Sequence, residues 1–273
     1  MTVVLCGVGG DAGNVAPDPT VDPDGRFEYV PIPEKCDTTE SRSYGTTPLR
    51  HGDGTLADRV DWLQSRGDYD GGRPEVVATH PLHHDPNFEH LTYGEHRRRP
   101  SPYVQTLAAL DPGDAVAFYT GLRPEDGGKK HRYLVGYFAV AAVTVVDPDL
   151  PVAEKRDLLR RHPHNAHTKR FEARGALYYQ DPDTDAPVKP VVIVDGRAPG
   201  GLLDRAVKLT DRLERRMFRL SPAVQEALRP LDRDGDPVPE EESVSLGGFK
   251  PVVACDVDLG EFVDWVETRQ RPR

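Results

Sequence analysis

Cysteine, lysine and long apolar runs are scarce in this chain, and each scarcity closes off a class of protein. The 273 residues hold 3 Cys, at positions 6, 36 and 255, with no CxxC pair. That spacing excludes a disulfide scaffold and a zinc ribbon. The longest apolar run is YLVGYFAVAAVTVV, residues 133–146. It falls short of the roughly 20 residues that span a bilayer, and its aromatic and β-branched residues predict paired strands. The opening MTVVLCGVGG lacks a basic n-region and a signal-length apolar core. A soluble, cytoplasmic protein without a membrane partner is expected. Lysine supplies only eight of the 35 basic residues, Asp crowds loops such as VAPDPTVDPDG and YQDPDTDAP, and the net charge is −10. Such a surface suits high salt: at about 1 M the Debye length is roughly 3 Å, and surface charges repel one another little. A salt-loving microbe is the expected source. No Walker A box, GxSxG elbow or kinase motif set is present.

What is present is Gly and Pro, 25 and 26 residues, beside 37% hydrophobic residues. Loops are therefore expected to be long, and the length suits one domain over 1–273, with a helical C-terminal part from about residue 200. Strands are predicted at 3–8, 26–33, 74–80, 115–122, 132–140, 142–147, 176–180 and 189–196. Helices are predicted at 54–67, 101–110, 151–161, 201–217, 221–230 and 259–269. GVGGDAGNVAPDP resembles a dinucleotide fingerprint only in composition. Asn14, Pro17 and Pro19 stop the helix whose N-terminus would hold a pyrophosphate. The expected fold class is mixed α/β (α+β): a central mixed β-sheet or PUA-like barrel with peripheral helices.

Residues 79–96, THPLHHDPNFEHLTYGEH, carry five histidines beside Asp85 and Tyr93, and HPHNAH at 162–167 adds three. Metal binding is one use. Adjacent His83 and His84 would point to opposite sides of an extended chain, and neither stretch has the spacing of a known metal box. No metal ligand is assigned, and the cofactor is left unknown. Acid/base chemistry is a second use, because histidine exchanges a proton near neutral pH. His83 oriented by Asp85, or His164 facing Asp11, would serve. The competing structural reading is a turn capped by Asp85 with solvent-facing histidines.

Nucleotide binding is a third use. Arg97 and Arg98 follow Tyr93 closely, and Arg170 follows HPHNAH. Arginine forks suit phosphate and aromatic rings stack on bases. The negative net charge opposes duplex binding, so a pocket for one nucleotide or one extruded base is expected. Residues 80–99 and 160–174 would line it together. His83, Asp85, His164 and Asp11 are the candidates for chemistry. His80, His84, Tyr93, Arg97, Arg98, Tyr119, Asn165, His167 and Arg170 are the candidates for substrate contact.

Two resemblances bear on this. GDAVAFYTGL, a polar loop, then YLVGYFAV resembles the core hairpin of the PUA-like folds, including the EVE and ASCH domains, which bind RNA or modified bases. The residues concerned are Gly113, Asp114, Phe118, Tyr119, Gly136, Tyr137 and Val140. Over roughly residues 1–195, the order of the GGD loop, PDGRFEYVPIP, HHDP, LTYGE, LDPGDAVAFYTGL, GYFAV and HPHNAH before ALYYQ resembles the type 3 nucleotide modification-associated domain. That resemblance implies a setting, nucleic-acid base modification, more than a reaction. It maps the family's acidic residue onto Asp11 and its HxDP element onto His83, Asp85 and Pro86. Two alternatives stay open: a non-catalytic PUA-like reader using Phe118, Tyr119 and Tyr137, and a metal-dependent hydrolase.

Overall fold

The computed structural model describes residues 1–270 except 12, 65–73, 97–101, 176–189, 215–216 and 249–250. The buried strand β1 (Val3–Gly7) opens the chain. The glycine loop after it forms no helix and leads to the short strands β2 (Val15–Ala16), β3 (Thr20–Val21) and β4 (Ile32–Pro33). Phe27, Tyr29, Val30, Pro31 and Pro33 are buried, so the segment 26–33 packs inward without strict alternation. Only Ile32 and Pro33 enter a ladder, because prolines at 31 and 33 have no N–H to donate.

The helix expected over 54–67 is a single 3-10 turn, Leu56–Arg59, followed by β5 (Trp62–Leu63). Its apolar residues are buried, but in a small side cluster. Leu56, Val60 and Leu63 pack there with Val15, Tyr44 and Leu82, and the Thr55–Asp58 capping box closes one turn only. The strand expected over 74–80 is the helix α1 (Pro74–Thr79). So short an apolar run fits both periods, and Pro74 suits a first helical turn.

The strands β6 (Leu82–His83) and β7 (Thr92–Glu95) bracket the HHDP turn. Helix α2 (Pro102–Ala108) precedes the long hairpin of β8 (Ala115–Pro124) and β9 (His131–Val146). Helices α3 (Val152–Leu159) and α4 (Ala166–Arg174) come next, then β10 (Val191–Lys208). β11 (Thr210–Glu214), β12 (Met217–Leu220), α5 (Pro222–Leu228), β13 (Val253–Cys255) and α6 (Leu259–Gln270) complete the order.

The helix expected over 201–217 is therefore wrong: residues 201–208 extend β10 and 210–214 form β11. Leu203, Val207 and Leu209 are the segment's buried apolar residues among those described. A separation of four satisfies the helical period and the strand period alike, and pairing to β9 (Val207↔Leu134, Lys208↔Tyr133) decides. The strand expected at 176–180 lies outside the described residues.

The main sheet runs β13-β1-β8-β9-β10-β7, with β3 beside β8. β1 and β8 are parallel, while β8–β9, β9–β10 and β10–β7 are antiparallel. The fold is thus the expected mixed α+β class, with a central mixed sheet. Three register shifts along β10 bend it around β9 and curl the sheet into a half-barrel. Phe118 fills the centre, with its ring 5.1 Å from Tyr93, 5.1 Å from Phe138 and 5.5 Å from Phe88. Helices α3 and α4 close the other face, where Leu159 and Phe171 pack on Val146, Val191 and Ile193. Among the described residues no helix is long and apolar enough to cross a membrane.

Candidate functional site

Three separate pieces of chain meet at one end of the sheet. β4 and β6 pair antiparallel, Ile32 opposite His83, so Glu34 emerges beside the HHDP turn. The second piece is the edge strand β7. The third is the N-terminal half of α4, which packs on β7.

Glu34 is the hub of the first contact set. It is 1% exposed. Its Oε1 accepts from the N–H groups of Lys35 at 2.6 Å and Cys36 at 3.1 Å and from Arg170 Nη2 at 2.7 Å. Its Oε2 lies 2.9 Å from His83 Nδ1, and its backbone oxygen 2.8 Å from His80 Nε2. Burial alone would raise the carboxyl's pKa. The charges and hydrogen bonds of His83, then Arg170, outweigh it and hold Glu34 well below the usual carboxylate range. Arg170 Nη2 also approaches His83 Nδ1, at 3.1 Å. Guanidinium only donates and is served by Glu34 Oε1, so His83 Nδ1–H donates to Glu34 Oε2. That tautomer leaves His83 Nε2 facing Asp85, 3.9 Å from its Oδ2.

Asp85 is held by the edge strand. Gly94 N–H donates to both carboxylate oxygens, at 2.9 and 3.0 Å. Burial pushes the Asp85 carboxyl up to about 7, against the pull of His83, the Gly94 N–H and Arg170. His167 approaches from α4, its Nε2 3.4 Å from Asp85 Oδ2. Asn165 fixes that helix end: its side chain accepts from His167 N–H at 3.0 Å and donates to Thr92 Oγ1 at 3.2 Å. A Cβ on residue 94 would run into His167 Cδ2 and the Asn165 amide, so the glycine of LTYGE is what lets α4 sit this close. Burial, then His83 and Arg170, hold His167 well below the usual imidazole range. Burial, then His167, do the same for His96, whose ring is 4.9 Å from that of His167. Around the raised Asp85 carboxyl, burial thus favours the uncharged imidazole at His167 and His96.

Of the residues singled out in the two stretches, the structure brings together His80, His83, Asp85, Asn165, His167 and Arg170. His84 points away from His83, half-buried near Arg42, Glu40 and Glu89; burial, then Arg42, lower it to about 4. His164 is exposed and stacks on His90, ring centroids 3.5 Å apart at 7°. It does not face Asp11, which is buried in an ion pair with Arg132. Tyr93 and Tyr119 are both buried. Their hydroxyls donate to Glu95 Oε2 at 3.1 Å and to the Pro251 carbonyl at 2.6 Å. Arg97 and Arg98 lie outside the described residues. Glu34 and His96 were not singled out from the sequence. His96 ends the histidine-rich stretch itself, whereas Glu34 lies 49 positions before His83 and is signalled only by following an alternating, proline-broken strand.

Comparison with protein families decides the relationship. The family model described as nucleotide modification associated domain 3 matches residues 2–237. The chain belongs to that family. The match takes in every residue of the cluster and stops before β13 and α6. No curated protein and no solved structure gives a significant match. Membership sets the family's context, nucleotide modification, beside a centre whose side chains are suited to proton or cation chemistry.

Proposed function

We propose that this protein binds a nucleotide or nucleic-acid base at the Glu34–His83–Asp85–His167–Arg170 cluster and acts on it during base modification. The observation that carries the reading is the convergence of the three chain pieces: two imidazoles, two carboxyls and a guanidinium meet where the edge of the sheet touches α4. A core built for stability alone is better served by apolar side chains, since burying charge without matched partners is costly. Clusters of this kind, with perturbed proton affinities, gather at functional sites. In this reading Asp85 and His167 face the reacting part of the substrate. Glu34 and Arg170 position His83. Arg97 and Arg98, which follow His96 in the chain, hold phosphate.

The reader alternative has less support. It needs Phe118, Tyr119 and Tyr137 as a stacking platform, and all three are buried in the core.

The test is binding of nucleoside monophosphates and short single-stranded oligonucleotides by calorimetry, together with analysis of any nucleotide that copurifies. Saturable binding is expected. It should weaken about 10-fold or more in an Arg97→Ala/Arg98→Ala variant whose melting temperature is unchanged, since charge-assisted phosphate contacts are the strong ones. Absence of binding to all of these ligands at millimolar concentration removes the proposal.

A further inference from the structure

The centre of the cluster has the donor set of a metal site. His83, Asp85 and His167 each offer one ligand atom, and the three atoms lie within 4.8 Å of one another. Donors held about 2.0–2.2 Å from a tetrahedral ion stand about 3.4 Å apart. His167 Nε2 and Asp85 Oδ2 are already at 3.4 Å. His83 Nε2, at 3.9 Å from the same oxygen, needs only a small inward turn of its ring. None of the three is more than 7% exposed.

The surroundings match as well. A metal-binding histidine usually donates its other N–H to a carboxylate or carbonyl, and His83 Nδ1 has Glu34 Oε2 at 2.9 Å. Arg170 pairs with Glu34 at 2.7 Å from beside His83. The inner site is thus left with one carboxylate, Asp85, and two imidazoles. His167 Nδ1 has no hydrogen-bond partner among the described residues.

We propose that His83, Asp85 and His167 bind one divalent transition-metal ion, with Glu34 as the carboxylate that orients His83. Two nitrogens and one oxygen disfavour calcium and magnesium, which take oxygen ligands, and favour zinc or iron(II). Three protein ligands leave coordination positions for water or substrate, the pattern of a reactive rather than a purely structural ion. The inference deepens the reading above and rests on it for the use made of the ion, though not for its binding.

The experiment uses the full chain, stripped with a chelator and dialysed against Zn2+ and, separately, Co2+. Bound metal is counted per chain and the visible spectrum of the Co2+ form is recorded. About one equivalent is expected, with the intense bands of low-coordinate Co2+ that fade when Zn2+ is added. His167→Ala and Asp85→Ala should each lose at least about 100-fold in affinity, and Glu34→Gln about 10- to 100-fold. His164→Ala, which removes an exposed histidine, should bind as the parent does. Well under one equivalent in the parent, an aquo-like Co2+ spectrum, or undiminished affinity in a folded His167→Ala protein overturns the proposal. The parent's spectrum decides alone if the variants do not fold. Calorimetry with nucleotides on the chelated protein separates the two ideas. Nucleotide binding without any metal site sinks only the ion, and a metal site without nucleotide binding sinks only the substrate.

Discussion

Asp85 is held in the folded protein in a state that opposes its ionisation. Its folded pKa, about 7, stands above the ordinary 3.8. The folded state therefore holds the proton longer than the unfolded state does. The contribution to stability is fully present below pH 3.8 and is lost as pH rises through 7. In chelator, Asp85→Asn is therefore expected to be more stable than the parent at pH 8 and nearly equal to it at pH 4. Urea denaturation at the two pH values checks this, and a parent more stable at pH 8 would contradict it. Gly94 gives a second expectation. Gly94→Ala drives a methyl into His167 and Asn165, and overpacking of this kind costs about 1–3 kcal/mol. The variant should stay folded while its Zn2+ and nucleotide affinities fall. At this scale the sequence was legible where the partners are near neighbours, as His83 and Asp85 are in HHDP. It was not legible for Glu34, since only the pairing of β4 with β6 brings an acid from PIPEK under the histidine ring.

Among the elements, the β8–β9 hairpin supports the site from behind. Phe118 of β8 touches Tyr93, the neighbour of Gly94 on β7. Phe118→Ala should cost about 3–5 kcal/mol, measurable by chemical denaturation. Asp11 belongs to the same scaffold. It meets Arg132 of β9 in a buried ion pair, and Arg132 also donates from Nε to the Leu246 carbonyl at 3.1 Å and lies over the Phe218 ring. Gly121 leaves the space for this pair, because a Cβ there would strike both side chains. Arg132→Met strands a buried carboxylate and is expected to destabilise by about 3–5 kcal/mol. The Asp11→Asn/Arg132→Met double variant should recover part of that loss. Strands 3–8 and 115–122 were legible because their apolar runs are long and rich in β-branched residues, whereas the two strands expected at 132–140 and 142–147 are one continuous strand, β9. Residues 201–217 were misread because Leu203 and Val207 suit helix and strand equally, and only the partner strand distinguishes them.

For the whole molecule, a net charge of −10 sets the response to salt. Raising KCl from about 0.1 to 1 M shortens the Debye length from about 10 to about 3 Å, which relieves self-repulsion in the compact state. The melting temperature should rise across that range, and calorimetry at fixed pH would show it. A falling melting temperature would mean that attractive surface pairs, such as Arg42–Glu89 and Arg229–Glu261, dominate instead. The overall class, a mixed sheet with flanking helices, was legible from alternation and turn residues. The curl was not, because it arises from register shifts along β10 that no local pattern encodes.

The edge strand β7 carries one more implication. An unprotected sheet edge is a template for pairing with another chain. Here the outward-facing groups of β7 are taken up by the HHDP turn and the residues that follow it. Thr92 exchanges backbone hydrogen bonds with Asn87, at 2.8 and 3.1 Å, and Gly94 N–H is held by Asp85. The site is thus also the plug on the sheet. Asp85→Ala would expose a strand terminus as well as remove a ligand, so a population of such molecules should be prone to stack edge to edge. Variation at this position then meets selection against self-assembly, whatever the protein binds.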